Sequence, residues 1–95
     1  RVAVISGGAS GIGYGTAELF AMKGAVCVIV DIDKDTGRQA AARITDMGGK
    51  ADFIMCNVTS DHDCRSCIES IKKKYGRIDI LFNNAGVIRR KTIAE

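Results

Sequence analysis

The sequence predicts an α/β fold, a doubly wound parallel sheet with strand order 3-2-1-4. Three observations carry this reading. Short apolar runs alternate with stretches of helical spacing along the whole chain, as β-α-β-α-β-α-β. The runs are apolar at nearly every position, as in strands of a parallel sheet covered on both faces. The first run is followed by Ser6 to Gly13, SGGASGIG, which holds glycines at 7, 8, 11 and 13. Glycine costs about 0.8–1 kcal/mol against alanine inside a helix, so such a cluster calls for a reason.

Each element has its own signal. Val2 to Ile5 is the first strand. Gly11 to Lys23 shows helical spacing at Ile12, Thr16, Leu19 and Phe20, and Lys23-Gly24 closes it. Ala25 to Asp31, rich in β-branched residues, is the second strand. Asp33 is placed to cap a helix through Met47, with Ala40, Ile44 and Met47 on its inner face, and Gly48-Gly49 ends it. Phe53 to Cys56 reads as the third strand. Ser60 is placed to cap Asp61 to Tyr75, whose inner face is Cys64, Ile68, Ile71 and Tyr75, with Gly76 as the stop. Ile78 to Phe82 is the fourth strand, and Asn83-Asn84-Ala85-Gly86 follows it. Right-handed crossovers give the stated order, and ligands of such sheets bind where the order reverses. Here that crevice lies between the first and fourth strands, where the glycine cluster and the Asn-Asn-Ala-Gly turn meet.

Composition bounds the partners. The 95 residues are 46% apolar and 26% charged, with a net charge of +3. That balance describes a globular chain, and it is too mildly basic to indicate nucleic acid. The longest purely apolar run, Ala25 to Val30, falls far short of the roughly 18 residues of a membrane span. No membrane partner is expected. No secretory signal is visible, and Cys27 and Cys56 sit in strand-like runs. Reduced, buried thiols and a cytoplasmic location are therefore expected. The chain starts at Arg1 and enters a strand at once, so its beginning is expected to be cropped.

The glycine cluster discriminates between phosphate-binding motifs. Gly8 and Gly13 have the spacing of GxxxxGK[ST], but Tyr14-Gly15 occupy the Lys and Ser/Thr positions. GxGxxG fails because Thr16 stands at its third glycine. GxxxGxG fits, through Gly7, Gly11 and Gly13. Glycines there let backbone approach a pyrophosphate at the open end of a helix.

With Ser6 ahead of it, this pattern resembles the TGxxxGIG motif of the short-chain dehydrogenase/reductase family, Ser replacing Thr. Asp31 at the end of the second strand, Asn57-Val58 after the third and Asn83-Asn84-Ala85-Gly86 after the fourth match in the same order. The resemblance covers essentially all of residues 1–95. It implies a truncated Rossmann-like domain, the amino-terminal part of a longer NAD(P)-binding unit. Gly7, Ser10, Gly11, Ile12 and Gly13 then form the pyrophosphate turn. Asp31 meets the adenosine ribose, Ile32 next to it is also assigned to the cofactor, and Asn57 and Val58 stand beside the adenine, where the family usually has Asp-Val. Asn83 bridges strands, and Asn84, Ala85 and Gly86 line the middle of the cofactor. Asp31 lies 18 residues past Gly13, close to the roughly 20 expected of a ribose-binding carboxylate. It accepts from the 2′- and 3′-hydroxyls and repels a 2′-phosphate. Ser10 offers no basic side chain, so NAD is favoured over NADP.

The family's catalytic tyrosine, the lysine four residues later, the serine and the asparagine all belong, by its layout, beyond Glu95. Tyr14 and Tyr75 are followed at that spacing by Glu18 and Asp79. No catalytic residue is therefore assigned within the chain. The full-length parent is expected to oxidise or reduce a small alcohol/carbonyl pair as a homo-oligomer, and the 95 residues alone to be inactive. The alternatives are a non-catalytic dinucleotide-binding module and an interaction fragment pairing through its fourth strand. Cys64-Arg65-Ser66-Cys67, with His62 before it, has the form of a redox or zinc CxxC. It lies a turn inside the helix with Cys64 on the apolar face, so core packing is expected and no metal is assigned. Lys72-Lys73-Lys74 and Arg89-Arg90-Lys91 read as solvated charge.

Overall fold

The computed structural model describes residues 1–83. Its elements are β1 (Val2–Ser6), α1 (Gly11–Met22), β2 (Val26–Asp31), α2 (Lys34–Asp46), β3 (Lys50–Met55), α3 (Asp61–Tyr75) and β4 (Ile80–Asn83). The four strands are parallel, in the order β3-β2-β1-β4. Strand alternation divides the core into two layers. Ala3, Ile5, Cys27 and Ile29 face α1 and α2, with Ala17, Ala21, Ala40 and Ile44. Val2, Val4, Val28 and Val30 face α3, with Cys64, Cys67 and Ile71. Helices thus cover both faces, which is why β1 and β2 read as continuous apolar runs.

The capping signals act as the sequence suggests. Asp33 accepts from the N–H groups of Asp35 and Thr36, and Ser60 accepts from that of Asp63. The α3 C-terminus is tied to β3, where Lys74 and Tyr75 both donate to Asp52. Burial alone would raise the Asp52 carboxyl. The bonds from Lys74 and Tyr75 outweigh it and hold the group below its ordinary value.

Four expectations need correction. The inner face of α1 is Gly13, Ala17 and Ala21, whereas Ile12 is 74% and Leu19 56% exposed. Small residues let this helix lie close to the sheet, close enough for the Cys27 thiol to donate to the Ala17 carbonyl at 3.1 Å. Met47 is not part of the α2 face; it is the C-cap, 45% exposed, and Gly37 and Ala41 are buried instead. The third strand begins at Lys50, earlier than its apolar stretch, because an outer strand carries polar residues such as Asp52. The fourth begins at Ile80. Before it, Asp79 meets Val2 partly through its side chain, the Val2 N–H donating to Asp79 Oδ2 at 2.8 Å.

Gly37 supports a prediction. A Cβ there would stand 2.0 Å from a ring carbon of Phe53 on β3. Overpacking costs about 1–3 kcal/mol, and so close an approach belongs at the upper end. The gain in helix propensity offsets about 0.8–1 kcal/mol. Gly37→Ala should therefore lower the stability of the full-length protein by about 1–2 kcal/mol, read by chemical denaturation. An unchanged or raised midpoint would mean that the Phe53 ring turns away at no cost.

Candidate cofactor site

The carboxyl ends of β1, β2 and β3 enclose a cleft of about 220 Å³ lined by Gly7, Asp31, Ile32, Cys56, Asn57, Val58 and Thr59. Five of the residues singled out from sequence meet here: Gly7, Asp31, Ile32, Asn57 and Val58. Ser10, Gly11, Ile12 and Gly13 are not among the lining residues; they form the start of α1, which follows the Gly7 turn. Asn84, Ala85 and Gly86 lie outside the described residues.

The turn out of β1 depends on backbone that only glycine adopts readily. Gly7 has φ 67° and Gly11 φ 61°. The Gly7 N–H donates to the Val30 carbonyl at 2.8 Å, which fastens the turn to β2. A Cβ at Gly11 would meet no atom of the described residues within 4 Å, so the backbone is open at that position.

The start of α1 differs from those of α2 and α3. Both of those carry a side-chain cap and an acidic residue in the first turn. Ser10 makes no capping bond, and the first turn of α1 has no acidic residue. Among the described residues, the amide donors and the positive end of the helix dipole are thus presented without a side-chain cap or a first-turn carboxylate. Together with the glycine turn and the adjoining cleft, this end fits a pyrophosphate.

Asp31 is half-buried at the end of β2. Its Oδ2 accepts from the Ala9 N–H at 3.3 Å and its Oδ1 from the Asp33 N–H at 3.1 Å. Ile32 beside it is 64% exposed, an apolar surface on the cleft. The Asn57 amide oxygen already accepts from the Thr59 N–H at 3.1 Å and the Thr59 hydroxyl at 2.6 Å. The accepting capacity of the Asn57 amide is therefore taken up within the loop. Sequence reasoning does not single out Thr59. The signal that could have found it is the Asn-x-Thr spacing, which closes a local side-chain turn.

At the crevice between β1 and β4, the buried Ser6 hydroxyl donates to Asn83 Oδ1 at 3.1 Å, with the Phe82 carbonyl at 3.4 Å. Asn83 thus bridges the two strands. The chain's tyrosines are each engaged by carboxylates, Tyr14 with Glu18 and Tyr75 with Asp52. Burial, reinforced by these neighbours, pushes both phenols above their ordinary value. That is the wrong direction for a general base at neutral pH.

Beneath Val58 lies a cavity of about 20 Å³ among Cys56, Cys64 and Cys67. All four cysteines are free and buried. Burial raises the Cys27 and Cys67 thiols to about 11 and that of Cys56 to about 12. Thiols so raised are poor nucleophiles at neutral pH. Among the described residues no group of three or more His, Cys, Asp or Glu side chains is placed to hold a metal ion. Replacing Cys64 and Cys67 together by valine should leave the kcat/KM of the full-length protein within about twofold, since near-isosteric apolar exchanges are well tolerated. Lost activity in a normally folded variant, or stoichiometric zinc in the parent that the variant lacks, would contradict a packing role.

A profile of the short chain dehydrogenase family matches residues 1–95. Tropinone reductase-like 1 of Erythroxylum coca is 51% identical over 88 residues, covering 93% of this chain and 31% of that protein. (+)-Borneol dehydrogenase 1 of Salvia officinalis is 38% identical over 94 residues, 99% of this chain and 35% of its own. Among solved structures, a hydroxysteroid dehydrogenase from Escherichia coli superposes with TM-score 0.86 at 36% identity, over 90% of this chain and 35% of that one. A metagenomic short-chain oxidoreductase in complex with NADP gives 0.88 at 31% identity, over 92% and 39%. The chain spans about a third of the length of these relatives. With a profile matched from end to end and the same doubly wound sheet, the chain belongs to the short chain dehydrogenase family.

Proposed function

We propose that residues 1–95 are the cofactor-binding part of an NAD-dependent oxidoreductase. The full-length protein would transfer a hydride between nicotinamide and a small alcohol/carbonyl substrate. When bound, the dinucleotide supplies the hydride chemistry. This chain's residues bind and orient it. Gly7, Gly11, Ile12 and Gly13 offer backbone to the pyrophosphate, and the Ser10 hydroxyl adds a donor. Asp31 accepts from the adenosine ribose, with Ile32 and Val58 flanking the adenine and Asn57 donating to it. Asn84, Ala85 and Gly86 are assigned by resemblance to the middle of the cofactor.

One observation carries the preference for NAD. The Asp31 carboxylate lines the cleft, and neither Ser10 nor Ile32 offers a positive charge to a 2′-phosphate. A phosphate brought to that carboxylate meets like charge in a partly desolvated place. One similar structure holds NADP, so the family resemblance by itself does not select the cofactor. The substrate class rests on relatives named as reductases and dehydrogenases. A homo-oligomer in the cytoplasm completes the reading, with no nucleic-acid or membrane partner. No helix among the described residues is long and apolar enough to cross a membrane.

The test compares kcat/KM for NADH and NADPH in the full-length protein. NADH should be favoured by at least about tenfold, the worth of one charge-assisted hydrogen bond to the ribose and one phosphate repulsion avoided. A clear preference for NADPH would overturn the assignment.

A further inference from the structure

We infer that Asp31 is also a positioning residue, a latch that sets the glycine turn before any ligand arrives. The inference rests on the reading of that turn as the pyrophosphate site. The turn is fastened to β2 at two successive residues. The Gly7 N–H donates to the Val30 carbonyl at 2.8 Å, and two residues later the Ala9 N–H donates to Asp31 Oδ2 at 3.3 Å. The other Asp31 oxygen accepts from the N–H of Asp33, the residue that caps α2. One carboxylate therefore joins the approach to α1 to the entrance of α2.

Ser10 forms no cap bond to α1, and Gly7 and Gly11 both lie at positive φ. Glycines lose more conformational freedom on ordering than other residues, so an unlatched turn samples more states and exposes its amides in fewer of them. An acceptor that fixes Ala9 lowers that ordering cost at the moment of binding.

The latch and the charge of Asp31 act in opposite directions on an anion at the turn. Removing a nearby negative charge by itself strengthens anion binding. Removing the latch weakens it. Asp31→Ala removes both, and Asp31→Asn removes the charge while keeping one acceptor for the two donors.

The full-length protein without ligand is first followed by hydrogen exchange on peptides covering residues 7–11. Asp31→Ala should accelerate exchange there by about tenfold, as expected when a hydrogen bond to a charged group is lost. Peptides from β1 and β2 should keep the parent's protection, and Asp31→Asn should fall between. Inorganic pyrophosphate, used as competitor against NADH, should then bind Asp31→Ala several-fold more weakly than the parent. Unchanged exchange at residues 7–11 in Asp31→Ala would overturn the latch, as would tighter pyrophosphate binding. The exchange result does not depend on which dinucleotide the protein prefers, so failure of the latch and failure of the NAD reading are told apart.

Discussion

Asp31→Ala should lower kcat/KM for NADH in the full-length protein by about 10–100-fold, because hydrogen bonds to a charged acceptor contribute about 1.5–3 kcal/mol. The same change should raise the relative use of NADPH, since the group that repels a 2′-phosphate is gone. Absolute NADPH activity should remain low. No cation stands at Ser10 or Ile32 to bind the phosphate, and the Ala9 amide loses its partner. The effect should appear mainly in KM, because the adenosine end is remote from the reacting atoms and contributes binding shared by ground and transition states. A variant with unchanged NADH kinetics would remove Asp31 from the cofactor site altogether.

The second large effect concerns residues 1–95 by themselves. Expressed alone, they should show no detectable hydride transfer from an alcohol to NAD. No tyrosine in the chain has a lysine four residues on, and both phenols are engaged by carboxylates that raise them. The isolated chain should also associate or fold incompletely. Among the described residues β4 pairs only with β1, and Ile12, Leu19 and Met22 of α1 are exposed. Unpaired edges and exposed apolar side chains favour aggregation, and complete domains hold a margin of only about 5–15 kcal/mol. Light scattering and a melting curve read the outcome. A monodisperse monomer with cooperative melting would favour the non-catalytic binding module. Measurable turnover would contradict the location assigned to the chemistry.

The topology is legible in the sequence because its signals are local and redundant. Apolar runs, capping residues at Asp33 and Ser60, and glycine stops agree with one another, and the strand order follows from handedness. The inner face of α1 is not legible from large apolar residues. Hydrophobic periodicity weighs Ile12 and Leu19 heavily, whereas close helix–sheet packing selects Gly13, Ala17 and Ala21 for their size. Strand ends escape a sequence reading where a side chain substitutes for the ladder, as at Asp79, or where an outer strand is polar, as at Lys50 and Asp52.

The candidate site divides in the same way. Gly7, Asp31, Ile32, Asn57 and Val58 can be gathered from sequence because motif spacing sets each at or just past the end of a strand, although the cleft they line lies at the ends of β1, β2 and β3, whereas topology singles out the β1–β4 crevice. The bonds among them cannot. The Asn57 oxygen is committed to Thr59, and Asp31 accepts from Ala9 and Asp33 with one site on each oxygen, which leaves acceptor capacity on both. Both facts depend on side-chain rotamers and on backbone from different elements meeting at the cleft. A sequence names donors and acceptors without saying which are already taken.

The most direct test is a crystal structure of the full-length protein with NAD bound. The adenosine ribose hydroxyls should lie within hydrogen-bond distance of the Asp31 carboxylate, at about 2.5–2.9 Å, and the pyrophosphate should rest on the amides at the start of α1. A dinucleotide bound away from the ends of β1 and β2, or one whose ribose leaves Asp31 untouched, would contradict the assignment.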